Sequence, residues 1–241
     1  ELSAVQGANY ILLNTPKLKK LYTNNSNLPL FLKDIETMDL ISITGGNIKN
    51  LSSIKNIDTI SLSSIEVNYD DLVINSVVSY ICFNVQHKNF NYAVIKNVYN
   101  LIFENCSFTG NTNFNITSST VNYINLISVT GIYKTYVNAP NLKRFYQIGN
   151  AADYINYDLI EAKFENCIEM TEVSLYYNKL EKIDIINCPN IQYVDLNNNQ
   201  LQQITGLENL TKLNYFSVYQ ANVNETLMTY IVNTLYSMRK E

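Results

Sequence analysis

The chain has 241 residues, which suffices for one or two ordinary domains or for one long repeat array. Its formal charge of −4, from 17 basic and 21 acidic residues, is too mild for a nucleic-acid binder or a disordered acidic tail. Apolar runs such as residues 11–13 are far too short for a transmembrane helix, so we expect no membrane insertion. The 19 Tyr, against 7 Gly, one His and no Trp, favour a stacked β-rich array.

An apolar pattern recurs along the chain, with apolar residues at relative positions 1, 4, 6 and 11 and, in some copies, Asn at position 9. Its copies follow one another at steps of about 22 residues, with one wider step before Met170. In chain order the copies start at Leu18, Met38, Ile57, Val78, Val98, Val121, Leu142, Met170, Ile191 and Leu213. The last three copies are the most regular, and those at Val78 and Val121 are the weakest.

Positions 4 and 6 of each copy are one strand period apart, so their side chains point to the same side. One copy alone cannot bury that side, whereas stacked copies form a continuous core behind a parallel sheet. At position 9, we expect the amides of Asn178 and Asn199 to satisfy backbone groups where the chain turns away from the sheet. Cys167 and Cys188 occupy equivalent positions one repeat apart. They fit small buried thiols in a ladder, although their spacing also permits a disulfide.

The end of the chain has a different period. Leu227, Ile231, Leu235 and Met238 recur at helical spacing, which predicts a helix over residues 225–239 with Asn224 as its N-cap. We therefore predict a solenoid of about ten repeats over residues 1–224 and a capping helix in residues 225–241.

The pattern resembles the leucine-rich repeat, L-x-x-L-x-L-x-x-N/C-x-L, closely over residues 170–223 and loosely over residues 18–169. Residues 199–213 are similar to the short repeats of bacterial surface proteins of the internalin type, and residues 178–191 to secreted bacterial repeats of about 21 residues. The resemblance implies a curved, right-handed β-solenoid with a parallel sheet on its concave face, little helix on the convex side, and a role in binding. It also implies an extracellular or cell-surface location.

The chain offers little catalytic chemistry. We find no nucleophile beside a base, and His87 in the polar stretch Gln-His-Lys is predicted to be a solvated loop residue. Cys82 and Cys106 occupy different repeat positions and are expected to be unpaired. With one His and no C-x-x-C motif, we expect no metal site and no cofactor, and we expect that the protein is not an enzyme.

The candidate binding surface lies at positions 3, 5 and 7, which should face outward on the concave side. Tyr fills eight of these positions, roughly threefold more than chance, at Tyr22, Tyr80, Tyr123, Tyr146, Tyr176, Tyr193, Tyr215 and Tyr219. Six of them, together with Asp195 and Asn197, are the predicted ligand-binding residues: Tyr123, Tyr146, Tyr176, Tyr193, Tyr215 and Tyr219. Tyr also favours strands in general, so packing of Tyr on Tyr is the competing interpretation.

The sequence thus predicts a non-enzymatic module that binds a protein or mediates adhesion. One alternative is a glycan- or receptor-binding segment, such as part of a phage fibre, and another is a parallel β-helix enzyme that acts on polysaccharides. The near balance of outward charges, Lys20 and Arg144 against Glu104, Glu172 and Asp195, argues against a nucleic-acid partner. The sequence does not define an oligomeric state.

Overall fold

The computed structural model of the protein describes residues 11–14, 17–26, 30–33, 35–46, 51, 54–70, 72–95, 97–110, 113–149 and 157–239. The chain divides into two compact units, residues 1–111 and residues 112–241. The prediction of a single solenoid over residues 1–224 is not tested by this division.

The first unit is built from parallel strands. Its strands are β1 (Ile11–Asn14), β2 (Lys20–Ser26), β3 (Leu30–Lys33), β4 (Thr37–Gly46), β5 (Asn56–Ser63), β6 (Glu66–Asn68), β7 (Val77–Phe83), β8 (Gln86–Lys88), β9 (Val98–Glu104) and β10 (Ser107–Thr109). The main sheet has the order β2-β4-β5-β7-β9, and smaller sheets have the orders β6-β8-β10 and β1-β3. Because each strand pairs in parallel with its equivalent in the next turn of the chain, the unit is a solenoid.

The second unit repeats this plan and ends in a helix. Its strands are β11 (Asn113–Thr117), β12 (Tyr123–Ile127), β13 (Lys134–Asn138), β14 (Arg144–Ile148), β15 (Glu161–Glu165), β16 (Glu172–Ser174), β17 (Lys182–Ile186), β18 (Tyr193–Asp195), β19 (Gln203–Thr205) and β20 (Tyr215–Ser217). The main sheet has the order β12-β14-β16-β18-β20, and a second sheet has the order β11-β13-β15-β17-β19. The helix α1 spans Glu225–Met238. The predicted parallel solenoid, with little helix and one C-terminal helix, is confirmed.

The core of the second unit lies between its two sheets. Inward positions such as Val173, Leu175 and Val194 have no exposed surface. Phe145 of β14 and Phe164 of β15 meet edge to face, with ring centroids 5.0 Å apart. Each turn of the chain therefore contributes apolar side chains from both sheets to one shared interior.

Asparagine forms many of the turns that end the strands. Asn84, Asn105, Asn166 and Asn187 directly follow a strand and have positive φ angles of 52–54°. Asn tolerates this left-handed conformation because its short polar side chain interacts with the local backbone. Part of the asparagine in this chain therefore serves the turns that end the strands.

One repeat is displaced by a residue from its predicted frame. The copy assigned to Val78 instead buries Val77, Tyr80 and Cys82, while Val78 is 44 % exposed. The predictions of an outward Tyr80 and a solvated His87 were therefore wrong, since both side chains have no exposed surface. The physical reason is the two-residue period of a strand, by which a shift of one residue exchanges the inward and outward sets.

The helix α1 closes the end of the second unit. The Asn224 side chain accepts a hydrogen bond from the backbone N–H of Leu227 at 2.8 Å, which caps the helix as predicted. Leu227 and Ile231 are buried, and Tyr230 donates a hydrogen bond at 2.7 Å to Glu208 in the 3-10 turn Leu207–Asn209. The helix is thereby held against the last turn of the solenoid.

Candidate binding face

The outward side of the main sheet in the second unit is called the tyrosine face below. Parallel register aligns its side chains in rows that run across the strands. One row contains Tyr123, Arg144, Glu172, Tyr193 and Tyr215, and the next contains Asn125, Tyr146, Ser174, Asp195 and Ser217. Five of the eight predicted ligand-binding residues therefore lie in two adjacent rows.

Two pairs of tyrosine rings touch on this face. Tyr193 and Tyr215 are stacked, with centroids 4.4 Å apart and planes within 6°. Tyr123 and Tyr146 meet edge to face at 5.8 Å. Such contacts hold the rings in fixed positions, so a ligand would meet a surface that is already ordered.

Exposure increases toward the end of the sheet. Tyr215 is 42 % exposed and Tyr219 is 67 % exposed, whereas Tyr123, Tyr146, Tyr176 and Tyr193 are half-buried. Half-buried rings agree both with a binding role and with packing of Tyr on Tyr, because they pack on their neighbours and still present an edge to solvent. The last two strands offer the largest exposed aromatic surface on the face.

A charged pair lies between the two pairs of rings. Arg144 Nε is 3.4 Å from a carboxylate oxygen of Glu172, and the other oxygen accepts a hydrogen bond from the Tyr146 hydroxyl. Burial, and then this hydrogen bond to Glu172, raise the pKa of Tyr146. The sequence analysis left Arg144 and Glu172 out of the binding residues, although their opposite charges at one repeat position were a signal for this contact.

Asp195 is less available than predicted. Only 8 % of it is exposed, and it accepts hydrogen bonds from the Asn197 backbone N–H at 3.0 Å and from the Tyr193 hydroxyl at 3.4 Å. Burial raises the pKa of this carboxyl. Burial, and then the charge of Asp195, raise the pKa of Tyr193 to about 12. Asp195 therefore orients Tyr193 from beneath the surface.

Asn197 joins the last two strands of the sheet. Its side-chain oxygen accepts hydrogen bonds from the Ser217 hydroxyl and from the Tyr219 backbone N–H, both at 2.6 Å. These bonds fix the loop that carries Tyr219. The side-chain oxygen of Asn197 is thus occupied by hydrogen bonds within the protein. Asn197 contributes to the face by positioning the loop that carries Tyr219.

A shallow cleft opens in the middle of the face. It has a volume of about 410 Å³ and is lined by Tyr146, Ile148, Glu172, Ser174, Tyr176 and Tyr193. Three tyrosine rings with their hydroxyls, one carboxylate and the hydroxyl of Ser174 thus line the same concave site. Aromatic side chains with a few convergent polar groups are typical of ligand sites in proteins.

The ladder of asparagines lies behind the face. The Asn199 amide donates hydrogen bonds to the carbonyls of Leu175, Leu196 and Asn197 at 2.9–3.1 Å, and its oxygen accepts one from the Leu180 N–H at 3.0 Å.

Asn178 donates in the same way to Gln147, Leu175 and Tyr176 at 2.8–3.2 Å. Each amide therefore links its own turn of the chain to the preceding one. The buried thiols of Cys167 and Cys188 are both free, and they donate hydrogen bonds to the carbonyls of Glu165 and Ile186 at 3.6 Å and 3.2 Å.

The described part of the chain also contains His, Cys, Asp and Glu side chains outside the tyrosine face. Within it, no group of three or more His, Cys, Asp or Glu side chains is placed to hold a metal ion. His87 is enclosed by aromatic rings, and burial lowers its pKa to about 3. No helix in the described ranges is long and apolar enough to cross a bilayer.

Comparison with known proteins gives one match. The family model described as Leucine Rich repeats (2 copies) matches residues 168–209. This range contains the strands β16 to β19 and the ladder residues Asn178 and Asn199. No curated protein matches the chain. No solved structure matches it.

Proposed function

We propose that the leucine-rich repeats of this chain form a non-enzymatic binding module of a secreted or cell-surface protein, which recognises a protein partner or mediates adhesion through the tyrosine face. The observation that carries the proposal is the stacked pair Tyr193 and Tyr215, together with the exposed Tyr219 in the turn that follows β20. Tyrosine is enriched among the residues that dominate binding energy at protein interfaces.

The chemistry of the face suits a protein surface. Tyr supplies a large contact area with a polar tip, and it loses little side-chain entropy when it binds. The charges of Arg144 and Glu172 are opposite and adjacent, so the centre of the face has little net charge. A polyanion such as nucleic acid would require a basic surface instead.

The test begins with a partner found by screening an array of purified extracellular proteins. The variant Tyr176→Ala/Tyr193→Ala/Tyr215→Ala should then weaken binding by at least about 30-fold, because truncation of a central aromatic typically costs about 2 kcal/mol or more. Tyr133→Ala is the matched control, since Tyr133 is 41 % exposed and lies outside the tyrosine face. Unchanged affinity in the triple variant would remove the face from consideration.

A glycan is the second candidate, and the cleft between Tyr146, Tyr176 and Tyr193 is the observation that favours it. Sugar rings stack on aromatic side chains, and the Glu172 carboxylate would accept hydrogen bonds from sugar hydroxyls. A glycan array separates the two candidates. A glycan that binds the wild type and no longer binds Tyr176→Ala would support the glycan hypothesis. If the wild type binds no glycan on the array, the protein partner is the remaining candidate.

A further inference from the structure

The helix α1 presents two apolar faces, and the solenoid covers one of them. Leu227, Ile231 and Thr234 are buried against the solenoid. A helix that only caps a repeat array should be polar over the rest of its circumference. The remainder of α1 departs from this expectation.

A second apolar row lies on the exposed side of the helix. Met228, Val232 and Tyr236 are 40 %, 55 % and 62 % exposed. They are spaced by four residues, so they form one line along the helix. The side chains Thr226, Thr229, Asn233 and Ser237 form a separate polar face. The apolar residues are therefore gathered in a row and are not scattered over the surface.

A charged residue lies at each end of this row. Glu225 precedes Met228 by three residues, and Arg239 follows Tyr236 by three residues. Both are exposed, and the backbone of Arg239 keeps the helical conformation as the C-cap. The five residues span roughly 80° of the helix circumference and about 21 Å of its length. They are called the terminal stripe below.

The terminal stripe is symmetric about its centre. From Glu225 the spacings are three, four, four and three, so Val232 is the midpoint. If a second identical helix lies antiparallel against the first, Val232 meets its own copy and Met228 meets Tyr236. The same arrangement brings Glu225 against Arg239 at both ends. A surface that matches itself after a twofold rotation is the property that a symmetric dimer interface requires.

We propose that a second copy of this chain docks on the terminal stripe, with the two α1 helices antiparallel and the twofold axis at Val232. The complementary charges at the two ends set the direction, because a parallel pair would place Glu225 on Glu225 and Arg239 on Arg239. The antiparallel arrangement also opposes the two helix dipoles favourably. The five residues of the terminal stripe lie outside the tyrosine face, whereas the groove beside them is lined in part by Tyr215. The tests below measure the oligomeric state, so their outcome does not depend on the proposed binding function.

The apolar surface continues beside the helix. A groove of about 430 Å³ runs between α1 and the end of the solenoid. Val232 and Tyr236 form part of one wall, and the half-buried Leu213 and Phe216 form part of the other. A helix of the second copy that lies on the terminal stripe also covers this groove, which enlarges the area buried. A membrane surface fits less well, because helices that bind membranes carry a basic polar face and that of α1 is uncharged.

The first test is sedimentation equilibrium of the full chain. We expect a monomer–dimer equilibrium with a dissociation constant of about 1–100 µM, as for a small interface. Val232→Glu should raise this constant more than about tenfold, because two carboxylates would meet at the axis. Asn233→Glu is the matched control, since it adds the same charge to the polar face and should leave the constant unchanged. A chain that stays monomeric up to about 500 µM overturns the proposal, as does an unchanged constant in Val232→Glu.

The second test reverses the charges. Glu225→Arg alone and Arg239→Glu alone should each weaken the dimer, whereas the double variant should restore it to within about threefold of the wild type. Circular dichroism verifies that α1 still folds, because reversed charges at its ends oppose the helix dipole. A double variant that is helical and still monomeric contradicts the pairing of Glu225 with Arg239.

A third test uses the axis itself and needs only a small population of dimer, because the disulfide traps each dimer that forms. Val232→Cys should form a disulfide-linked dimer under mild oxidation, because each new thiol faces its own copy across the axis. Asn233→Cys and the wild type, whose own four cysteines are buried, should remain uncrosslinked. Equal crosslinking of Val232→Cys and Asn233→Cys would show that the helices have no defined arrangement and would overturn the proposal.

Discussion

His87 makes the stability of the first unit depend on pH, and His87→Phe tests this dependence. The imidazole has no exposed surface and lies among the rings of Phe103 at 4.7 Å and Phe108 at 4.6 Å. Its Nδ1 shares a hydrogen bond of 2.9 Å with the Tyr69 hydroxyl. Its Nε2 makes no hydrogen bond within the described residues. Among the residues that the structure describes, no charged group compensates a proton on this ring, so desolvation lowers its pKa to about 3.

The sign and size of the change in the free energy of unfolding with pH follow from the difference between the pKa values of His87 in the folded and unfolded chains. The pKa of His87 is about 3 in the folded chain and 6.5 in an unfolded one, so below pH 6.5 the unfolded chain binds the proton more readily. The free energy of unfolding therefore falls as the pH falls from about 6.5 to about 3, by about 1.4 kcal/mol per pH unit. The expected loss is about 2 kcal/mol between pH 7 and pH 5, and roughly 5 kcal/mol at full protonation.

The assay is urea unfolding at pH 7, 6, 5 and 4, for the wild type and for His87→Phe, followed by circular dichroism. Other titrating groups are common to both chains and cancel in the difference. A larger ring changes the packing by about 1–3 kcal/mol, but this offset does not vary with pH. We expect the wild type to lose about 2 kcal/mol relative to the variant between pH 7 and pH 5.

Tyr69→Phe is the control for that experiment. It removes the hydroxyl that bonds Nδ1 and keeps the histidine, so the pH dependence should persist. A constant difference between wild type and His87→Phe from pH 7 to pH 4 would refute the reasoning, because it would mean that His87 is protonated equally in the folded and unfolded chains.

Three further predictions concern the solenoid itself. Asn199→Ala leaves buried backbone groups of two turns unpaired, and we expect a loss of about 2–4 kcal/mol in urea unfolding, against less than about 0.5 kcal/mol for the exposed neighbour Gln200→Ala. Gly206→Ala forces a φ of +86° on a side-chain residue and places its Cβ against the Ile185 carbonyl oxygen. Its unfolding temperature should therefore fall by the equivalent of about 3 kcal/mol or more, and an unchanged temperature would contradict the geometry. The four buried cysteines should react with a thiol reagent at least about 100-fold more slowly in the folded chain than in urea, and one rapidly reacting thiol would be inconsistent with their burial.

The sequence predicted the repeat frame best where the apolar positions are unambiguous. Around Val194 and Leu196, each inward position is aliphatic and each outward position is polar or aromatic, so only one register buries the apolar set. Around Val77 and Val78 both residues are equally apolar, and the frame was misplaced by one residue. The resulting errors at Tyr80 and His87 are therefore one mistake with two consequences.

On the tyrosine face, too, the sequence pattern predicts some features and leaves others to the tertiary structure. The outward position of Tyr193 and Tyr215 follows from the strand period, but their stacking depends on the register between two strands. The burial of Asp195 depends on the side chains that surround it, and a pattern along one strand contains no such information. Asp195 therefore fits the predicted position without being an accessible ligand group.

The sequence by itself determined the parallel solenoid, the ladder of Asn178 and Asn199, and the helix that begins after Asn224. These features depend on periodicity along the chain, which a sequence records directly. The tertiary structure alone decided which ionisable groups are desolvated, such as His87 and Asp195, and which rings touch. These properties depend on neighbours that lie about 20 residues apart in sequence, and the solenoid brings such residues within a few ångströms of each other by stacking one turn on the next.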